Sequence, residues 1–136
     1  MAVGVTVGSI TDELGAASFV HSFFSTICAH CESKGWGSRF PHLMNELYQG
    51  RLPHANALLA LAELRQAKAT LSKLPPASVV WDIENRLSSP PWGDDIASGI
   101  TSLGNYFVSS TGHDVFQILE EALAAAFKEQ QDAVLQ

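Results

Sequence analysis

Cysteine is scarce in this 136-residue chain. Cys28 and Cys31 are the only two, too few for a disulfide framework. Charge is sparse as well: 16% of residues are charged and 46% are hydrophobic, which excludes the polar, highly charged composition of a disordered segment. No apolar run approaches the ~20 residues that a membrane-spanning helix requires. Residues Met1 to Ile10 carry neither a basic start nor a long apolar stretch, so they do not read as a secretory signal. A cytoplasmic protein with no membrane partner is the expectation. The length suits one domain, residues 1–136, with a sizeable core.

Basic residues are also few. The net charge is −6, and the imbalance is uneven along the chain. Residues 51–75 hold Arg51, Arg65, Lys68 and Lys73 against Glu63 alone, whereas residues 76–136 hold nine acids against Arg86 and Lys128. A nucleic-acid binder needs a basic face. The only basic stretch here reads as the solvent side of one helix, so direct nucleic-acid binding is not expected. An acidic face attracts basic proteins and speeds their encounter.

Motifs for common chemistries are missing. There is no Gly-x-Ser-x-Gly elbow and no Gly-x-x-x-x-Gly-Lys-Ser/Thr phosphate loop. The five histidines, His21, His30, His42, His54 and His113, form no His-x-x-x-His pair. Nothing here points to an enzyme or calls for a cofactor.

What is present is periodicity. Val3, Val5 and Val7 alternate with small or polar residues, as in a half-buried strand over 2–8, and a loop should follow over 9–15. Val20, Phe23, Phe24, Ile27, Cys28 and Cys31 recur at helical spacing over 16–33, with Ser18, Ser22 and Thr26 on another face. Lys34 and Gly35 stop that helix. A second helix is expected over about 40–48, with Pro41 in its first turn. The longest helix should run over 53–74, with Ala57, Leu61, Leu64, Ala67, Leu71 and Leu74 as its apolar stripe and Pro75-Pro76 as its stop. Strands are expected over 78–84 and 106–110, with a turn-rich loop from Ser88 to Asp95 and a helical turn over 100–104. Asp114 is a good N-cap for a last helix whose core face holds Phe116, Leu119, Leu123 and Phe127. A short strand should close the chain over 132–136. The fold class implied is α+β: a small, mostly antiparallel sheet packed against about four helices.

Two groups of residues invite chemistry. Cys28-Ala29-His30-Cys31 could hold a metal or a redox pair. A zinc site needs four ligands and no second Cys pair exists, and a redox pair belongs at a helix N-terminus, not near its end. Buried packing is the plainer reading, with a small metal- or thiol-dependent domain using Cys28, His30 and Cys31 as the alternative. In the second group, Asp82 and Glu84 share a face of the expected strand, with Val80 beside them and Trp81 and Ile83 pointing to the core. They read as a solvated face, as paired carboxylates of a catalytic cleft, or as a docking surface for lysine and arginine. Asp94 and Asp95 are plain loop acids, the N-cap of the next turn, or part of the same surface. Trp92, between Pro90-Pro91 and Gly93, either plugs a core edge or anchors an interface. Trp36 and Tyr48 share that ambiguity.

Longer strings carry a resemblance. Gly35-Trp36-Gly37-Ser38-Arg39-Phe40-Pro41 runs into Leu43-Met44-Asn45-Glu46-Leu47-Tyr48-Gln49-Gly50. Then come Val80-Trp81-Asp82-Ile83-Glu84, Pro90-Pro91-Trp92-Gly93, Ile100-Thr101-Ser102-Leu103 and Asn105-Tyr106-Phe107-Val108. In their order and spacing these resemble immunity protein 70, a family of bacterial polymorphic-toxin and contact-dependent inhibition systems. The resemblance implies a non-enzymatic antidote that binds the C-terminal domain of a cognate toxin and blocks its active site. Many such toxins are nucleases with basic active sites. The resemblance supplies no interface residues. Asp82, Glu84, Trp92, Asp94 and Asp95 are candidates on charge and loop chemistry alone.

Overall fold

In the computed structural model, which describes residues 2–136, four strands form one antiparallel sheet and three long helices pack with it. Strand β1 spans Ala2–Val7 and β2 spans Ile10–Ala16. They form a hairpin whose last pair is Val7 with Ile10. Gly8 takes φ +62° in the two-residue turn, a conformation that suits the right-handed twist of a hairpin. Strand β3, Arg51–Leu52, and strand β4, Ala133–Leu135, complete the sheet in the order β2-β1-β4-β3. Val5 and Val7 of β1, Leu14 of β2, Leu52 of β3 and Ala133 and Leu135 of β4 are buried, so the strand alternation turns one sheet face to the core.

Helix α1 runs over Ala17–Cys31, α2 over Ala57–Leu71 and α3 over Val115–Glu129. A π-helical turn spans His42–Leu47, where a regular helix was expected. The core centres on Phe23. Its ring meets Phe24, Phe107 and Phe116 edge-on, with centroids 5.3, 5.2 and 4.9 Å away, a geometry favoured by the ring quadrupole. Asp114 caps α3 by accepting the Phe116 N–H at 3.2 Å. Gln130 ends α3 in the left-handed region at φ 54°, a frequent way to close a helix. The fold class is the expected one, α+β with an antiparallel sheet.

The strands are only partly those expected. Residues 10–16 form β2, not a loop. Ile10 to Glu13 are all exposed, so the segment lacks the apolar alternation that marks a half-buried strand. It is an edge strand carrying Asp12 and Glu13, and charge on an edge guards against pairing with other chains. The strand expected over 78–84 is irregular chain, apart from a 3₁₀ turn over Pro76–Ser78. The strand expected over 106–110 reduces to one bridge, Val108 with Asp114. Phe127, expected in the core, is 52% exposed, while Leu123 is fully buried.

The irregularity of 78–84 has a definite cause. The Val80 carbonyl accepts the Ser22 hydroxyl at 3.0 Å and the Thr26 hydroxyl at 3.1 Å. The Val80 N–H donates to Thr26 Oγ1 at 3.1 Å, and the Ile83 N–H to Ser25 Oγ at 3.1 Å. Backbone groups leaving water must find partners, and here they find helix hydroxyls in place of a neighbouring strand. Ser22, Ser25 and Thr26, fully buried, form a polar stripe on α1 that receives this segment.

Candidate functional site

The same stripe begins one residue earlier with His21. Its Nδ1 lies 2.7 Å from Tyr48 Oη and its Nε2 lies 3.1 Å from Asp82 Oδ1. Asp82 also accepts the Glu84 N–H at 2.9 Å, a local turn that brings the Glu84 side chain round beside it. The Glu84 N–H and then His21 hold the Asp82 carboxyl below the usual range, because both favour the charged form. Burial, followed by the Glu84 and Asp82 carboxylates, pushes the Tyr48 phenol up. Tyr48 therefore stays protonated at neutral pH.

Trp36 completes the surround. Its ring stacks on His21 with centroids 6.3 Å apart and meets Tyr48 edge-on at 5.2 Å. Its Nε1–H donates to the Met44 carbonyl at 3.1 Å. Buried Glu32 fixes the loop that presents it, accepting the backbone N–H groups of Gly37, Arg39 and Phe40 at 3.1, 3.0 and 2.9 Å. Gly37 sits at φ +78°, and a Cβ there would come within 2.2 Å of the Asn45 side chain, so this loop requires glycine. Together these residues border a cavity of about 670 Å³, walled by His21, Cys28, Glu32, Trp36, Tyr48, Glu84 and Arg86.

Asp82 and Glu84 are thus neighbours, but through a turn and not as alternate residues of a strand. Val80, expected beside them, is buried, while Trp81 and Ile83 are only half-buried. Trp81 meets Trp92 edge-on with centroids 5.3 Å apart. Trp92 donates its Nε1–H to Tyr106 Oη at 2.8 Å yet keeps 39% of its surface exposed. Asp94 and Asp95 lie exposed in the tight turn that follows, which is closed by the Gly93 N–H on the Pro90 carbonyl at 2.9 Å and the Asp95 N–H on the Trp92 carbonyl at 3.0 Å. The Trp81–Trp92 contact ties this second acidic turn to the first.

The Cys28, His30 and Cys31 group does not converge. Both thiols are free and buried, and burial above all raises the pKa of each, which suppresses the reactive thiolate. His30 lies apart, with its Nε2 2.7 Å from the Ser78 carbonyl. Among the described residues, the group of three metal-ligating side chains that does converge is His21, Asp82 and Glu84, with ligand atoms within 4.8 Å of one another. Sequence reasoning missed His21 as part of the site. Its one available signal is the run of polar positions 21, 22, 25 and 26 on an otherwise apolar helix.

No helix among the described residues is long and apolar enough to cross a membrane. Neither the curated proteins nor the solved structures yield a match to the chain. A family model does: the one described as immunity protein 70 matches residues 5–135, a span that takes in all the strings of the resemblance, the loop that presents Trp36 and both acidic turns. The chain belongs to the immunity protein 70 family.

Proposed function

We propose that this protein neutralises a cognate bacterial toxin domain, encoded beside it, by covering the toxin's active site with the acidic surface around Asp82, Glu84, Asp94 and Asp95. Membership of an immunity-protein family supports antidote function without catalysis. The observation that supports the choice of surface is the Trp81–Trp92 contact, which brings together the residues that lead into the two acidic turns; we read their four acids as one patch. Such a patch complements the basic active site of a nuclease, the toxin class this reading favours. Carboxylates pair with arginine in two-pronged fashion, and complementary charge accelerates capture. Trp92, held at its nitrogen and open on its outer side, suits an anchoring role, since tryptophan is enriched among residues that dominate interface energy. The antidote acts in the cytoplasm of the toxin-producing cell.

Co-expression tests the reading. The chain should co-purify with the toxin domain encoded next to it and restore growth to cells that make that domain. Failure of both refutes antidote function.

A further inference from the structure

We propose that His21, Asp82 and Glu84 form a binding site for one divalent transition-metal ion of the zinc class, clamped between helix α1 and the turn over 82–85. The three ligand atoms lie within 4.8 Å of one another. His21 Nε2 and Asp82 Oδ1 are 3.1 Å apart, close to the separation of two ligands each about 2 Å from a tetrahedral ion. Glu84 is exposed, and its side chain is free to close the third bond.

An imidazole that binds a metal needs one bare nitrogen and an acceptor for the N–H of the other. Tyr48 provides that acceptor from a separate part of the chain, with its oxygen 2.7 Å from His21 Nδ1. In the metal-free protein the ring proton lies between Nε2 and Asp82; when a metal takes Nε2, the proton sits on Nδ1 and the Tyr48 hydroxyl turns to accept it. Trp36 stacked on the ring holds its orientation. The cavity beside His21 and Glu84 gives a fourth position to water, so the arrangement is three protein ligands with one open place.

One imidazole with two carboxylates suits a borderline ion. Calcium prefers six to eight oxygens, and magnesium binds mainly through oxygen and keeps much of its water. A dication also offsets the repulsion between two adjacent carboxylates. Cys28 lines the same cavity as His21 and Glu84 but is not one of the three converging ligands. Asp82 and Glu84 are shared with the proposed toxin surface, yet zinc binding is read on the protein alone, so either reading can fail without the other.

Zinc chloride titrated calorimetrically into metal-stripped protein at pH 7.5 tests the proposal. Wild type should bind one equivalent. His21→Ala and Glu84→Gln should each abolish stoichiometric binding, and Glu84, being exposed, can be changed without loss of fold. Tyr48→Phe should keep one equivalent at about tenfold lower affinity, the scale on which orienting partners act. Cys28→Ser/Cys31→Ser should bind as wild type does. No stoichiometric zinc in wild type, unchanged binding in both His21→Ala and Glu84→Gln, or loss of binding in the cysteine variant would each overturn it.

Discussion

Oδ1 of Asp82 accepts from two sides, from the ring of His21 and from the N–H of Glu84. This one carboxylate both builds the 82–85 turn and fastens it to helix α1, from a position 61 residues further along the chain. Its pKa is lowered, so its favourable contribution is fully present above the ordinary carboxylate range and is lost as pH falls through the lowered value. The Glu84 amide should therefore be protected relative to its intrinsic exchange rate at neutral pH and lose that protection once Asp82 is protonated, below the usual carboxylate range. Asp82→Asn should remove that pH dependence. Amide exchange followed by NMR across the acid range checks both.

Thr26 supplies two hydrogen bonds to a single residue, Val80, from a fully buried position. Thr26→Val keeps the shape and removes the hydroxyl, leaving the Val80 N–H without its partner. A buried donor left unsatisfied costs roughly 1–3 kcal/mol. Urea denaturation should show that loss, and the Val80 amide should lose its exchange protection.

The sequence and the structure agree where periodicity reports burial directly. Strand β1 and helices α1, α2 and α3 are legible because Val5 and Val7, or Phe23 and Ile27, or Leu64 and Leu71, fall on one face at the right spacing. β2 is not legible, because its charged edge buries little beyond Leu14. β3 is only two residues long and becomes a strand through its pairing with β4. The apparent alternation of residues 78–84 imitates a strand, yet its hydrogen bonds go to helix hydroxyls, a partnership that no local pattern encodes. For the same reason the acids at 82 and 84 are visible in the sequence while their partner His21 is not.

Helix α3 offers a paired test of that limit. Leu123 is fully buried and Phe127 half-exposed on the same helix. Leu123→Ala should destabilise by about 2–5 kcal/mol, the usual range for a buried leucine. Phe127→Ser should change stability by no more than roughly 0.5 kcal/mol, as exposed substitutions do. Equal losses in denaturant melts would place Phe127 in the core after all.

Glu32 is a buried carboxylate whose two oxygens accept three backbone N–H groups. Glu32→Gln replaces one acceptor oxygen by a donor and leaves at least one of those N–H groups unpaired, at a cost of roughly 1–3 kcal/mol. The loop that carries Trp36 should loosen with it. Red-shifted tryptophan emission together with a lower denaturation midpoint is the expected pair of signals.

Capture of the toxin domain by the acidic surface, as proposed, is measured most directly by the association rate of the purified protein and the toxin domain encoded beside it, by stopped-flow fluorescence at low and high salt. Wild type should associate fast and slow markedly as salt rises, since exposed charges more than a Debye length of about 10 Å apart are screened at 0.1 M. The variant with Asp82 and Asp94 changed to Asn, Glu84 to Gln and Asp95 to Asn should associate more slowly at low salt and lose most of the salt dependence. An unchanged rate and an unchanged salt slope in that variant would contradict the account and place the toxin-binding surface elsewhere on the molecule.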